Sequence, residues 1–203
     1  DSFWTWRTEE VKDMLLWMCE YNIGKSAEDK VQYVGFDCQF NTYHPGLLNS
    51  FLQSTGASFA SDFAPVLDEA EKATKDRFKS YSREQFNAYM GQLSALKDSL
   101  ETHSSELINA SSEKEFNLHA HLVNVVKQTS WVAFAATIGD TELNYRDLYM
   151  AENVLWWREY FENGQIALWA HNFHIGRHPD VEESGSMGYH LDRALGTDYT
   201  TIA

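Results

Sequence analysis

Residues 57–138 carry helical periodicity from end to end, with no run that could serve as a strand. Ser82-Arg83-Glu84-Gln85 and Ser112-Glu113-Lys114-Glu115 both match the capping box, which fixes two helix starts inside the segment. Behind the first, Phe86, Met90, Leu93, Leu96 and Leu100 line one apolar stripe; behind the second, Leu118, Leu122, Val125 and Val132 line another. Two long antiparallel helices follow, with the charges between the stripes forming a solvated face. Whatever else the chain builds, it must accommodate this hairpin, which we place at residues 57–140 as an insertion within one domain spanning 1–203.

On either side the pattern changes. Thr8 followed by Glu9 and Glu10 marks a helix start, and Val11, Met14, Leu15, Met18 and Tyr21 repeat at helical spacing, so a helix is expected over Glu9–Tyr21. VQYVGFD, residues 31–37, reads as a short buried strand. A helix is expected over 46–53, with Pro45 in its first turn. Residues 144–163 read as a further helix closed by Gly164, then QIALWAHN, residues 165–172, as a second buried strand. Ser186 is placed to cap a helix running to Gly196, and residues 199–203 read as a third strand. Strand and helix alternate at both ends, which predicts an α/β fold with a largely parallel sheet flanked by helices, incomplete as the chain stands.

The 43% of hydrophobic residues are enough for a sizeable core, and 30 acids against 16 Lys and Arg give a formal charge of −14. That charge repels phosphate backbones and anionic lipid, so neither nucleic acid nor a membrane is an expected partner. No run approaches the ~20 apolar residues of a membrane span. Cys19 and Cys38 leave both a bridge and two free thiols open, and the compartment with them.

In parallel sheets, ligands gather beyond the carboxyl ends of the strands. Asp37 with Gln39, and His171 with Asn172 and His174, take those places on the two clearest expected strands. Histidines there can serve a reaction or only hydrogen-bond a loop. His171 and His174 with His178 and Asp180 could also form a zinc set, although the spacing matches no specific zinc motif. No Gly-x-Ser-x-Gly elbow occurs, and Ser186 is better explained as a cap whose helix N-terminus offers N–H groups to an oxyanion or carboxylate.

The blocks Tyr145-Arg146-Asp147-x-x-Met150-Ala151-Glu152-Asn153-Val154-x-Trp156, Leu168-Trp169-Ala170-His171-Asn172-x-His174-Ile175, Ser186-Met187-Gly188-x-x-Leu191 and Leu195-Gly196-x-x-Tyr199 closely resemble the erythromycin esterase family. Trp6-Arg7-Thr8-Glu9-Glu10-Val11 and Gly35-Phe36-Asp37-x-Gln39 match it too. The resemblance implies a hydrolase that uses His and Glu to activate water against an ester such as a macrolide lactone, without a metal or other cofactor. It implies His171 and His174 as catalytic residues of the cleft; beside them we expect Asn172, Asp37, Gln39, Arg146 and Ser186 in substrate binding or support. The family's Gly-Glu-x-Ser/Thr-His motif, whose His is taken as general base, does not occur in this sequence. The expectation is therefore an incomplete site, inactive alone, whose partners are a small-molecule ester and the missing N-terminal segment or a second chain. A non-catalytic module binding a saccharide or an antibiotic is the rival reading.

Overall fold

Thr8, Ser82, Ser112 and Ser186 each cap a helix where the sequence placed one, whereas Tyr43, Phe59 and His103 precede helices without a side-chain cap. The computed structural model describes residues 6–139, 142–162, 164–179 and 185–202. It divides into two units, Asp1–Gly35 and Phe36–Ala203.

In the first unit the Thr8 hydroxyl accepts from the Val11 N–H at 3.3 Å and opens α1 (Glu9–Tyr21). Just past its end, the Asn22 amide donates to the Val31 carbonyl at 2.9 Å and accepts from the Val31 N–H at 2.8 Å, closing the loop between them. Leu16, Trp17 and Tyr21 on α1 are exposed, and Met18 is buried.

The second unit runs α2 (His44–Ser54), α3 (Ala60–Lys75), α4 (Arg83–Thr102), α5 (Ser104–Ala110), α6 (Glu113–Ile138), α7 (Glu142–Tyr160), α8 (Asn172–Ile175) and α9 (Met187–Leu195), then a 3-10 turn, Gly196–Asp198. The capping box at Ser82 is reciprocal: its hydroxyl accepts from the Gln85 N–H at 3.1 Å while the Gln85 side chain accepts from the Ser82 N–H at 2.8 Å. Ser112 caps α6 by accepting from the Glu115 N–H at 3.1 Å. Each such cap is worth about 1 kcal/mol, enough to fix where a helix begins.

The apolar stripes of α4 and α6 meet in a core shared with α2, α3 and α5. Leu48, Leu52, Leu93, Leu96 and Leu100 are fully buried there, and the Phe86 and Phe134 rings stack with centroids 4.0 Å apart. A smaller second core joins α7 to α9, where Met150, Ala151 and Val154 meet Met187 and Leu191, with Phe36, Leu168 and Ile175 packed at its margin. This second core holds the two loops that carry the sequence-predicted site.

The expected α/β fold with a parallel sheet is corrected here: among the described residues every regular element is a helix, and no strand occurs. Residues 31–37, 165–171 and 199–202 run without regular secondary structure, Asn172 opens α8, and Gln165, Ile166, Ala167 and Trp169, read as a buried strand, are exposed. β-branched and aromatic runs make extended backbone acceptable, but a strand exists only as one side of a hydrogen-bonded ladder. No such ladder is formed among the described residues. No described helix is long and apolar enough to cross a membrane.

Candidate functional site

One turn of α7 organises the polar groups. Arg146 and Asp147 are consecutive on that helix and engage different loops. Arg146 donates from Nε and Nη2 to the two carboxylate oxygens of Asp37, both at 2.9 Å, the two-point geometry that a guanidinium and a carboxylate share. The Gln39 amide oxygen accepts from the same guanidinium, 3.1 Å from Nη1 and 3.3 Å from Nε. Burial works against the Arg146 charge, but the hydrogen bonds and charge of Asp37 prevail and raise its pKa. Two turns further along the same face, Asn153 donates to the Phe36 carbonyl at 3.0 Å. Arg146 and Asn153, seven residues apart, thus pin residues 36–39 to α7. Between them the Cys38 thiol is fully buried, and burial, helped by the Asp37 charge, pushes its pKa up. Cys38 and the exposed Cys19 are both free.

Asp147 faces the other loop. His174 Nδ1–H donates to its two carboxylate oxygens at 2.9 and 3.1 Å, and the Met187 N–H donates to Oδ1 at 2.8 Å. The carboxylate is buried, with 2% of the side chain exposed against 15% for His174. An N–H at the start of α9 is therefore already occupied by a carboxylate of the chain itself, where the sequence suggested an oxyanion or substrate carboxylate.

His171 and His174, paired in the sequence, do different things. His171 is exposed and is the N-cap of α8, where its Nδ1 accepts from the Phe173 N–H at 3.1 Å. Asn172, also exposed, begins that short helix. Ser186 is buried as the cap of α9. Its hydroxyl donates to the Gly176 carbonyl and accepts from the N–H of His178 at 3.2 Å and of Tyr189 at 3.3 Å. With three partners it is committed to the loop, not free for a substrate. Gly188 sits where α9 crosses α8: a Cβ there would run into the Ile175 carbonyl and come within 2.6 Å of the Gly176 oxygen. Tyr199 completes the frame by donating to the Ile175 carbonyl at 2.7 Å.

The structure therefore brings Asp37, Gln39 and Arg146 together, holds His174 on the neighbouring Asp147, and leaves His171 and Asn172 at the surface of the same short helix. Among the described residues, no three His, Cys, Asp or Glu side chains converge as a metal cage, and Asp180, part of the zinc alternative, lies outside them. Asp147 was not assigned a role from the sequence, although it shares an apolar helical stripe with Met150, Ala151 and Val154. A buried acid at such a place demands a partner, and that was the signal for it.

A carboxylate-held imidazole on a pinned loop can hold one ring tautomer and present its second nitrogen to a substrate, while Asp37 and Gln39 fix the guanidinium of Arg146, the residue before Asp147. The fold is shared with solved structures. A protein from Bacillus cereus superposes with a TM-score of 0.80 at 22% identity, covering 95% of this chain and 48% of that one. A succinoglycan biosynthesis protein gives 0.73 at 17% identity over 98% and 49%. A histidine-to-asparagine mutant of the erythromycin esterase EreC, in its open conformation, gives 0.68 at 18% over 93% and 50%. The chain spans about half the length of these structures. No curated protein matches it. The sequence profile of the erythromycin esterase family, however, matches residues 2–203, and the chain belongs to that family.

Proposed function

We propose that these residues form part of an ester-hydrolysing site, with a macrolide lactone such as that of erythromycin as the substrate class, in which His174 is the working imidazole. The His174–Asp147 pair carries this reading. With Nδ1–H held on the carboxylate at 2.9 Å, Nε2 of the neutral ring keeps its lone pair and can accept a hydrogen bond or a proton from a substrate hydroxyl. His171, exposed three residues earlier, adds a donor at Nε2, since its Nδ1 already accepts a backbone N–H. Arg146, kept charged by Asp37, is the group that favours negative charge as the lactone carbonyl is attacked. Asn172 and Gln39 support the loops on either side, and Ser186 fixes the entry to α9.

The fold likeness and the family membership support this reading of the chemistry, and the absence of a Gly-Glu-x-Ser/Thr-His motif from the sequence limits it. A water-activating base of that type is not among these residues, so the chain by itself is expected to turn over ester at close to the uncatalysed rate. The test is to follow erythromycin and an aryl ester with the chain alone and with the motif-bearing half of a family member supplied in trans. Hydrolysis that needs both parts and falls ~10²–10⁴-fold in His174→Ala supports the assignment. Activity indifferent to His174→Ala, with helicity unchanged, refutes it.

A further inference from the structure

The seam between α6 and α7 is built from the wrong residues for a simple helix contact. Two packed helices normally bury an apolar stripe. Here His121, Asn124, Gln128 and Trp131, at helical spacing on α6, face Tyr145, Tyr149, Glu152 and Trp156, at helical spacing on α7. His121 stacks on Trp156 at 3.8 Å, Gln128 Nε2 donates to Glu152 at 3.1 Å, and Trp131 meets the Tyr145 ring edge-on at 5.8 Å. A cavity of about 410 Å³ opens along this seam, reaching Met90 of α4, within the size range of small-ligand sites.

Three buried polar atoms in its wall have no partner: His121 Nε2, Gln128 Oε1 and Trp131 Nε1. His121 and Gln128 are 6% and 9% exposed. Each unpaired buried group costs about 1–3 kcal/mol, and a helix pair chosen for stability alone would hold leucines here. Their chemistry describes what would satisfy them. The indole needs an acceptor and the amide oxygen a donor. His121, its pKa lowered to about 4 by burial, is a neutral ring. Lys127 and Glu152 on the rim oppose each other in sign, so the cavity selects neither a strong anion nor a strong cation.

We propose that this cavity binds a neutral, hydroxyl-rich ring, a sugar unit either free or glycosidically linked, held by Trp131, Gln128 and His121. A hydroxyl donates and accepts at once, so one ring meets all three atoms, and its C–H faces lie against aromatic and Met90 surface. All three atoms are screened from bulk solvent by their neighbours, so binding proceeds with rotation of the Gln128 and Trp131 side chains. The site uses the α7 face opposite Asp147 and is independent of the His174 chemistry.

Saturation-transfer NMR and tryptophan fluorescence titrations with glucose, galactose and mannose, and with their methyl glycosides, test it on the intact chain. Saturable binding is expected for at least one sugar, weakened about ten-fold by Trp131→Phe and by Gln128→Leu, and unchanged within about two-fold by Glu71→Gln, an α3 position outside the cavity. The sugar and glycoside arms separate a free from a linked ligand. Gln128→Leu replaces an unpaired acceptor by apolar volume, so its fold is retained even where Trp131→Phe loosens the core. No saturable binding of any sugar overturns the proposal. So does an affinity weakened as much by Glu71→Gln as by Trp131→Phe and Gln128→Leu.

Discussion

Replacing Asp147 by Asn changes one atom type at the junction of α7, α8 and α9 and should be legible in three observables. The carboxylate accepts from His174 Nδ1 at 2.9 and 3.1 Å and from the Met187 N–H at 2.8 Å. An amide oxygen in the place of Oδ1 keeps the Met187 bond and the 2.9 Å contact to Nδ1, but the NH2 then stands where Oδ2 accepted at 3.1 Å, donor against donor. Moving the ring proton to Nε2 relieves that clash, because Nδ1 can then accept from the NH2. A charge-assisted hydrogen bond contributes about 1.5–3 kcal/mol and a neutral one about 1, so the exchange should destabilise the fold by about 1–2 kcal/mol. For a domain of this size that is a drop in Tm of about 2–4 °C per kcal/mol. Two-bond 15N–1H correlations on the His174 ring should then show the proton on Nε2 in place of Nδ1. Under the proposed function, kcat measured with the motif-bearing half supplied should fall ~10²–10⁴-fold, because His174 Nε2 would have become a donor. An unchanged His174 tautomer in Asp147→Asn, with Tm preserved, would refute the pairing as the determinant of ring orientation.

Three further outcomes follow from the same contacts. His121, buried and neutral, has its pKa lowered from 6.5 to about 4, chiefly by burial. The unfolded chain therefore takes up a proton that the fold refuses, and stability is lost as pH falls from about 6.5 toward 4; at about 1.4 kcal/mol per pH unit this reaches ~3 kcal/mol, and His121→Phe should flatten that part of the Tm–pH curve. Gly188→Ala should cost about 1–3 kcal/mol, because its methyl needs space now filled by the Ile175 and Gly176 carbonyls; a Tm equal to the parent's would show that α9 is free to shift. Arg146→Lys cannot reproduce the two-point pair with Asp37, so residues 36–39 should open more often and Cys38 should react faster with a thiol reagent, while exposed Cys19 reacts at once in both proteins.

What the sequence made legible was local chemistry. Ser82, Ser112 and Ser186 announce their helices because a cap hydroxyl and the N–H it accepts from lie three residues apart. Residues 31–37 and 165–172 misled because a strand is defined by a neighbour that local sequence does not specify. The site divides the same way. Asp37, Gln39 and Arg146 could be singled out as residues, but the pairing of Asp37 with Arg146 spans 109 positions and no periodicity reports it. The two histidines look equivalent in His-Asn-Phe-His, yet the first sits at a cap and the second one turn inside, which sends their rings to different partners.

The arrangement of α7 explains how one helix serves several tasks at once. Positions 147, 150, 151 and 154 face the smaller core, so Asp147 is buried with the apolar residues and its charge is tolerable only because His174 and the Met187 N–H meet it there. Positions 146 and 153 face residues 36–39 and hold them by side-chain hydrogen bonds alone, which secures a segment that lacks any ladder of its own. Positions 145, 149, 152 and 156 face α6 across a seam of rings and amides. A substitution that slides or rotates α7 must therefore disturb His174, Arg146 and the α6 seam together. A change confined to one face, such as Glu152→Gln, should leave the His174 tautomer untouched. That contrast is measurable in a single set of ring correlations, and a His174 signal that moved in Glu152→Gln would mean the faces of the helix are not independent.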